Sequence, residues 1–220
     1  MSRREKIEIF VLYLLLVAGG LWHLLGVLGR LMRWSAAPIL IGLALYLTWE
    51  MRLINRDRQK RLLLWGGIVL FGGFLVEAIG VKTGWIFGRY AYGEVLQPQL
   101  FGVPIAIGFA WLGIQISSLG LAQWVVKEKI GIYVLALLTA IFMVLFDLLM
   151  EPAAIYLGYW RWEEVLPPLQ NYLSWFGIAM VFSMFGARLH LFHRQLPPFV
   201  FHSYIAQAIY FTLIFIRSVR

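Results

Sequence analysis

The chain has 220 residues, of which 61% are hydrophobic and 14% charged, with a net charge of +8. A soluble domain cannot hide that much apolar surface, so the composition points to an integral membrane protein and away from a nucleic-acid binder. Cysteine is absent, which excludes a disulfide framework and a thiolate metal site.

Runs of about 20 apolar residues cross a bilayer core of about 30 Å. Seven are predicted, over 7–29, 34–51, 62–81, 103–125, 130–150, 171–191 and 199–217. The first follows a basic start with no small-residue cleavage site, so it reads as a retained span rather than a signal peptide. Glu50 closes the second span, where snorkelling explains it. The connectors are of two kinds. Arg52 to Arg61 and Lys127-Glu128-Lys129 are short and charged, whereas 82–102 and 152–170 are longer and rich in Gly, Pro and aromatic residues. Lys and Arg collect on the side of the charged connectors, which predicts a cytoplasmic N-terminus in the cell membrane, with the aromatic loops on the opposite face. The fold class is therefore an all-α polytopic membrane protein forming one membrane domain over 1–220.

Two segments of this text repeat at an offset of 70. The stretch from Phe87 to Leu96 aligns without a gap on that from Leu157 to Leu166, Leu75 meets Leu145, and Pro98 meets Pro168. The copies run over about 62–125 and 130–191, each a span, an aromatic loop and a span, which implies a parallel repeat about an axis along the membrane normal. Glu77 and Asp147 occupy equivalent places about fifteen residues into their spans, and the axis would let both face one cavity. An ionisable group within a span is a candidate functional site. A carboxyl shielded from water, with a second carboxyl beside it, favours its neutral form and can act as a Brønsted acid. The competing reading is that the two only fix helix packing. Glu151 follows Asp147 by four residues, on the same face if the helix continues to Pro152, either as a third acid or base or as a residue at the water boundary.

Tyr90 and Tyr92, and likewise Trp160 and Trp162, alternate at spacing two, which puts both rings of a pair on one side of an extended segment. Their faces suit a cation, although an interfacial aromatic belt also collects Tyr and Trp. Asn171 and Trp175 open the sixth span one turn apart, with Asn171 as its cap or as a residue that orients water. Trp85 and Trp111 read as packing or belt residues. Gly80, Gly84 and Gly88 read as sites of close approach or turning. The four histidines are scattered singly, His23 and His202 within apolar runs, so no metal site is expected. No phosphate loop, dinucleotide fingerprint or Ser-His-Asp order is present.

These residues resemble the integral-membrane carotenoid biosynthesis family that includes the carotenoid 1,2-hydratases of the bisanhydrobacterioruberin and γ-carotene type. The likeness lies in Glu77, Gly80, Gly84, Phe87, Gly88, Tyr90 and Tyr92, in Gly102-Val103-Pro104 with Trp111, and in Asp147 to Pro152, Trp160, Trp162, Asn171 and Trp175. It covers roughly 74–176. The resemblance implies water addition across the terminal 1,2 double bond of an acyclic carotenoid. It implies a lipophilic carotenoid and water as substrates, surrounding membrane lipid, no redox cofactor, and other carotenoid-pathway enzymes as candidate neighbours. Glu77, Asp147 and Glu151 would then be the acid and base groups, and Tyr90, Tyr92, Trp160, Trp162, Asn171 and Trp175 would hold the substrate or its cation. A membrane carotenoid cyclase, a proton-coupled small transporter and a non-catalytic pigment-binding subunit are the competing readings.

Overall fold

A computed structural model describes residues 1–126, 130–164 and 166–218. The Lys127–Lys129 connector and Val165 of the repeat alignment lie outside the described residues. Seven long helices run in the described part: α1 (Arg3–Leu25), α2 (Gly29–Ile54), α3 (Gln59–Thr83), α4 (Ala106–Val126), α5 (Ile132–Tyr156), α6 (Leu169–Arg188) and α7 (Pro198–Ser218). All but α6 are long and apolar enough to cross a membrane. The fold is thus an all-α polytopic membrane protein. The sequence reading counted α6 as a seventh span, but Gln170, Asn171, Ser174 and Ser183 dilute its hydropathy, and it packs chiefly along α5.

Local chemistry sets the helix ends. Ser2 and Glu5 form a capping box at the start of α1, and Gly26, at φ 70°, ends the helix with its N–H bonded back to His23. This stop falls earlier than expected, so Arg30 and Arg33 lie inside α2 and not in a connector. Gly84, also at φ 70°, ends α3 in the same manner. Its conformation is the turn that the glycine spacing suggested. α5 continues through Pro152 to Tyr156, which keeps Asp147 and Glu151 on one helical face.

α4 is the central helix, packed against α2, α3, α5 and α7. Small residues permit this. A Cβ on Gly108 would lie 2.7 Å from the Leu70 carbonyl oxygen on α3, and one on Gly120 would lie 2.7 Å from Val200 Cγ1 on α7. One end of the bundle gathers charge: Arg4 reaches Glu50 at 3.3 Å, and Arg194 pairs with Asp57 at 2.9 Å. Glu50 is therefore not a snorkelling residue. It is buried and held by an arginine from α1.

The other end carries the aromatic loops. Strand β1 (Tyr90–Tyr92) pairs antiparallel with β4 (Trp160–Trp162), in the register Tyr90 to Trp162, Ala91 to Arg161 and Tyr92 to Trp160. The central partners, Ala91 and Arg161, occupy equivalent places in the 70-residue alignment, so the strand pair is symmetric about them. A short hairpin of β2 (Gln99–Leu100) and β3 (Val103–Pro104) follows β1. Gly93 seals the junction, with its N–H donating to Tyr159 O at 2.8 Å. A Cβ there would sit 2.1 Å from the Gly158 carbonyl oxygen. Gly93→Ala is therefore expected to pry the two loops apart and cost about 3 kcal/mol of stability, visible as a lower thermal midpoint of the purified protein in detergent.

Candidate active site

The strand pair hangs two rings from each loop over the ends of α3 and α5, and each pair addresses one carboxyl. Glu77, buried on α3, accepts at Oε2 from the hydroxyls of Tyr90 and Tyr92, the latter at 2.8 Å. Its Oε1 accepts from Trp111 Nε1, on α4, at 2.9 Å. Glu151, buried on α5, accepts at Oε2 from Trp160 Nε1 at 3.1 Å and Trp162 Nε1 at 3.0 Å. The spacing-two reading of both aromatic pairs thus matches the geometry. Their ring edges carry the donors, and Tyr90 lies 5.0 Å from Trp162 between centroids, so the two sets form one aromatic wall.

The repeat predicted Glu77 and Asp147 across one cavity, and the geometry differs. The indoles from the second loop reach Glu151, one helical turn beyond Asp147 on the same face and nearer the loop end of α5. Asp147 is fully buried behind the wall. Its Oδ2 accepts from Asn171 Nδ2 at 2.7 Å, while Oδ1 has no hydrogen-bond partner. Asn171 is therefore no helix cap. Pro168 holds the cap position of α6, and the Asn171 side chain is spent on Asp147. Trp175 stacks on Trp111 at 4.1 Å with the ring planes 19° apart, which braces the indole that serves Glu77.

A cavity of about 660 Å³, counting the space at its mouth, is lined by Glu77, Glu151, Tyr90, Tyr92, Trp162 and Asn171, with Phe87, Met150 and Ile107 among its apolar walls. Its few converging polar groups in an otherwise apolar wall are those of a small-molecule site. Among the described residues, no Lys or Arg pairs with Glu77, Asp147 or Glu151. Arg89 instead meets Glu163 at 3.7 Å on the exposed side of the loops. Among the described residues, neutral phenol, indole and amide donors thus hold the three carboxyls. Burial and the charge of Glu77 push the Tyr90 and Tyr92 hydroxyls well above the ordinary phenol range, so both stay protonated donors throughout the physiological pH range. Among the described residues, no group of three or more acidic or histidine side chains is arranged to hold a metal ion.

Trp111 is the residue that the sequence reading missed. It was read as packing, and it is 1% exposed, but its N–H is one of three donors to Glu77. Nothing in the spacing reveals this, since the contact joins residues 34 apart on different helices. Trp111→Phe keeps the stack on Trp175 and removes the donor. It is expected to change the thermal midpoint little, because the ring packing survives, read by melting of the purified protein in detergent. Trp85, by contrast, stands at the surface. His202 meets the Tyr13 hydroxyl at 3.0 Å, and His23 packs edge-on against Tyr210, as core histidines do. The histidines are not all single: His190 and His193 meet at 2.9 Å in the connector between α6 and α7.

No solved structure matches the chain. A bisanhydrobacterioruberin hydratase from Haloarcula japonica is 30% identical to it over 121 residues, a match that takes in 50% of this chain and 41% of the relative. The chain thus spans less than half the length of that curated relative. The family model described as "Carotenoid biosynthesis protein" matches residues 11–218. With nearly its whole length inside that match, and its buried carboxyls and aromatic wall lying within it, the chain belongs to the carotenoid biosynthesis protein family.

Proposed function

We propose that the protein adds water across the terminal 1,2 double bond of an acyclic carotenoid. The observation that carries this reading is a cavity walled by aromatic rings with two separate carboxyls in it, each held by neutral donors. Hydration needs an acid, a base and a surface that tolerates a cation, and the cavity has a candidate for each. A proton passes to C-2 and the π pair forms the new C–H bond, leaving a tertiary cation at C-1. Aromatic faces attract such a cation. Water bonds to C-1 and loses a proton to a carboxylate, so one water is added, and the proton then on the base returns to the acid by way of water before the next turnover.

The hydrogen bonds divide the roles. Glu77 accepts from three donors and faces no acceptor, an arrangement that suits a carboxylate, which only accepts. It is assigned as the base that receives the proton from water. Glu151 uses one oxygen for both indoles and has Asp147 one turn behind it. Two neighbouring carboxyls in a dry site are less costly with a proton between them. Glu151, at the wall, is assigned as the donor to C-2, with Asp147 holding that proton in reserve. Water enters from the loop end of the bundle, where the paired strands β1 and β4 stand over the cavity. The 70-residue symmetry of β1 and β4 supports descent of the two halves from one duplicated unit.

Expression in a host that accumulates lycopene, followed by chromatography and mass spectrometry, tests the reading. The expected product is more polar and heavier by one or two waters. An isomer of unchanged mass would make the protein a cyclase and overturn hydration. Unchanged pigment beside well-folded protein would remove lycopene as a substrate.

A further inference from the structure

A second apolar cavity, of about 550 Å³ with its mouth, adjoins the first. The two share Leu40 on α2, Tyr159 after α5 and Phe211 on α7 as walls. The second cavity runs between α1, α2 and α7, past Gly19, Ala36 and Gln207, to Leu15 and Ile39. Leu15 is 64% exposed and Ile39 45% exposed on helices that cross the membrane, so this end opens sideways into lipid. The helix packing leaves the opening. α1 leans on α7 and α2 on α4, while α1 and α2 barely touch along their length. Pro38, beside the opening, has no N–H to bond the carbonyl one turn back, which weakens the α2 ladder there.

We propose that the joined cavities form a lateral channel in which the apolar polyene chain of the substrate lies, entering between α1 and α2, with its end group delivered past Leu40, Tyr159 and Phe211 to Glu77 and Glu151. The occupant is a long isoprenoid chain. The walls are apolar, the outer end opens to acyl chains, and the inner end abuts the carboxyl cavity at Leu40, Tyr159 and Phe211. A short or polar ligand would have no use for a side opening at this depth. The inference deepens the proposed reading and rests on it for the identity of the end group. The channel itself rests on the two cavities.

Gly19 on α1 and Ala36 on α2 both line the second cavity at the seam between the two helices. A Cβ on Gly19 would come 3.2 Å from Met32 Cε, the end of a flexible side chain, so added bulk there fills the seam without striking backbone. The experiment uses full-length Glu77→Gln protein to retain unconverted pigment, alone and with Gly19→Leu or Ala36→Phe. Lycopene retained per protein after purification is read by its absorption, and thermal midpoints check folding. Both channel variants are expected to lower retention at least tenfold with midpoints nearly unchanged. The same two substitutions in the otherwise native chain are expected to lose lycopene conversion, while a short acyclic isoprenoid with the same end group is still converted.

Undiminished retention and conversion in both variants would overturn the channel, as would equal losses with the long and short compounds. If the native chain converts neither compound, yet Glu77→Gln retains lycopene and the channel variants release it, hydration fails and the channel stands. If Glu77→Gln retains no lycopene at all, the channel is overturned as well. Should one substitution lower the midpoint strongly, the other, on the facing helix, decides.

Discussion

Glu77→Gln is expected to abolish pigment conversion, with a loss of about 10²–10⁴-fold. The substitution keeps size and shape but removes the charge that Tyr90, Tyr92 and Trp111 surround, and its amide turns a donor toward donors. At least one of the three hydrogen bonds must then break, and the assigned proton acceptor is gone. The measurement is product formed per folded protein in the lycopene-accumulating host, with the protein quantified in the membrane fraction. Activity within tenfold of the native chain would remove Glu77 as the base. Because Tyr92→Phe keeps the ring in the wall and leaves Glu77 two of its three donors, it should cost far less than Glu77→Gln. A comparable loss would mean that the phenol itself moves the proton.

The second large effect is expected at the other carboxyl, and there the two members of the pair should separate. Glu151→Gln should lower conversion by a similar 10²-fold or more, since the group nearest the cavity carries the proton that starts the reaction. Asp147→Asn should lower it less, by about tenfold, because Asp147 acts from behind the wall. Stability should move the other way. Asp147 is fully buried with one oxygen unpartnered, a costly arrangement in the middle of a helix bundle. Replacing it with a neutral amide is expected to hold or raise the thermal midpoint. Higher stability with lower activity would be the signature of a group kept for function against the interest of the fold. A loss of both would instead make the Asp147–Asn171 contact a packing device, the competing reading for buried carboxyls.

The shared wall explains why the two carboxyls need each other's loops. Tyr90 faces Trp162 and Tyr92 faces Trp160, so the donors of one acid are braced by the donors of the other. The β1–β4 pairing thus ties the donors of Glu77 to those of Glu151, and Gly93→Ala, at the junction of the two loops, acts on both sets.

Much of this was legible along the chain, and the reason is locality. Hydropathy over about 20 residues reports lipid contact directly, so the membrane class and the helices followed from it. Gly84 at a helix end and the spacing-two aromatic pairs are likewise short-range patterns whose geometry depends on a few neighbouring dihedrals. The misplacements were where that logic reached its limit. The end of α1 shifted because Gly26 stops the helix before the arginines. Asn171 resembled a cap by position, yet its amide found a better partner on the next helix.

The amino-acid sequence by itself determined that the protein lives in a membrane, that carboxyls lie buried in its spans, and that two aromatic pairs stand at equivalent distances from them. Only the tertiary structure decided which donor meets which acid. The alignment matched Asp147 to Glu77, but the indoles meet Glu151, which stands on the same face of α5 one turn nearer the loops. The third donor to Glu77 comes from Trp111 on a different helix. Such contacts depend on the angle and depth at which packed helices face one another, and close packing by small residues on α4 sets both. A repeat in sequence fixes neither of these, because each copy packs against different neighbours.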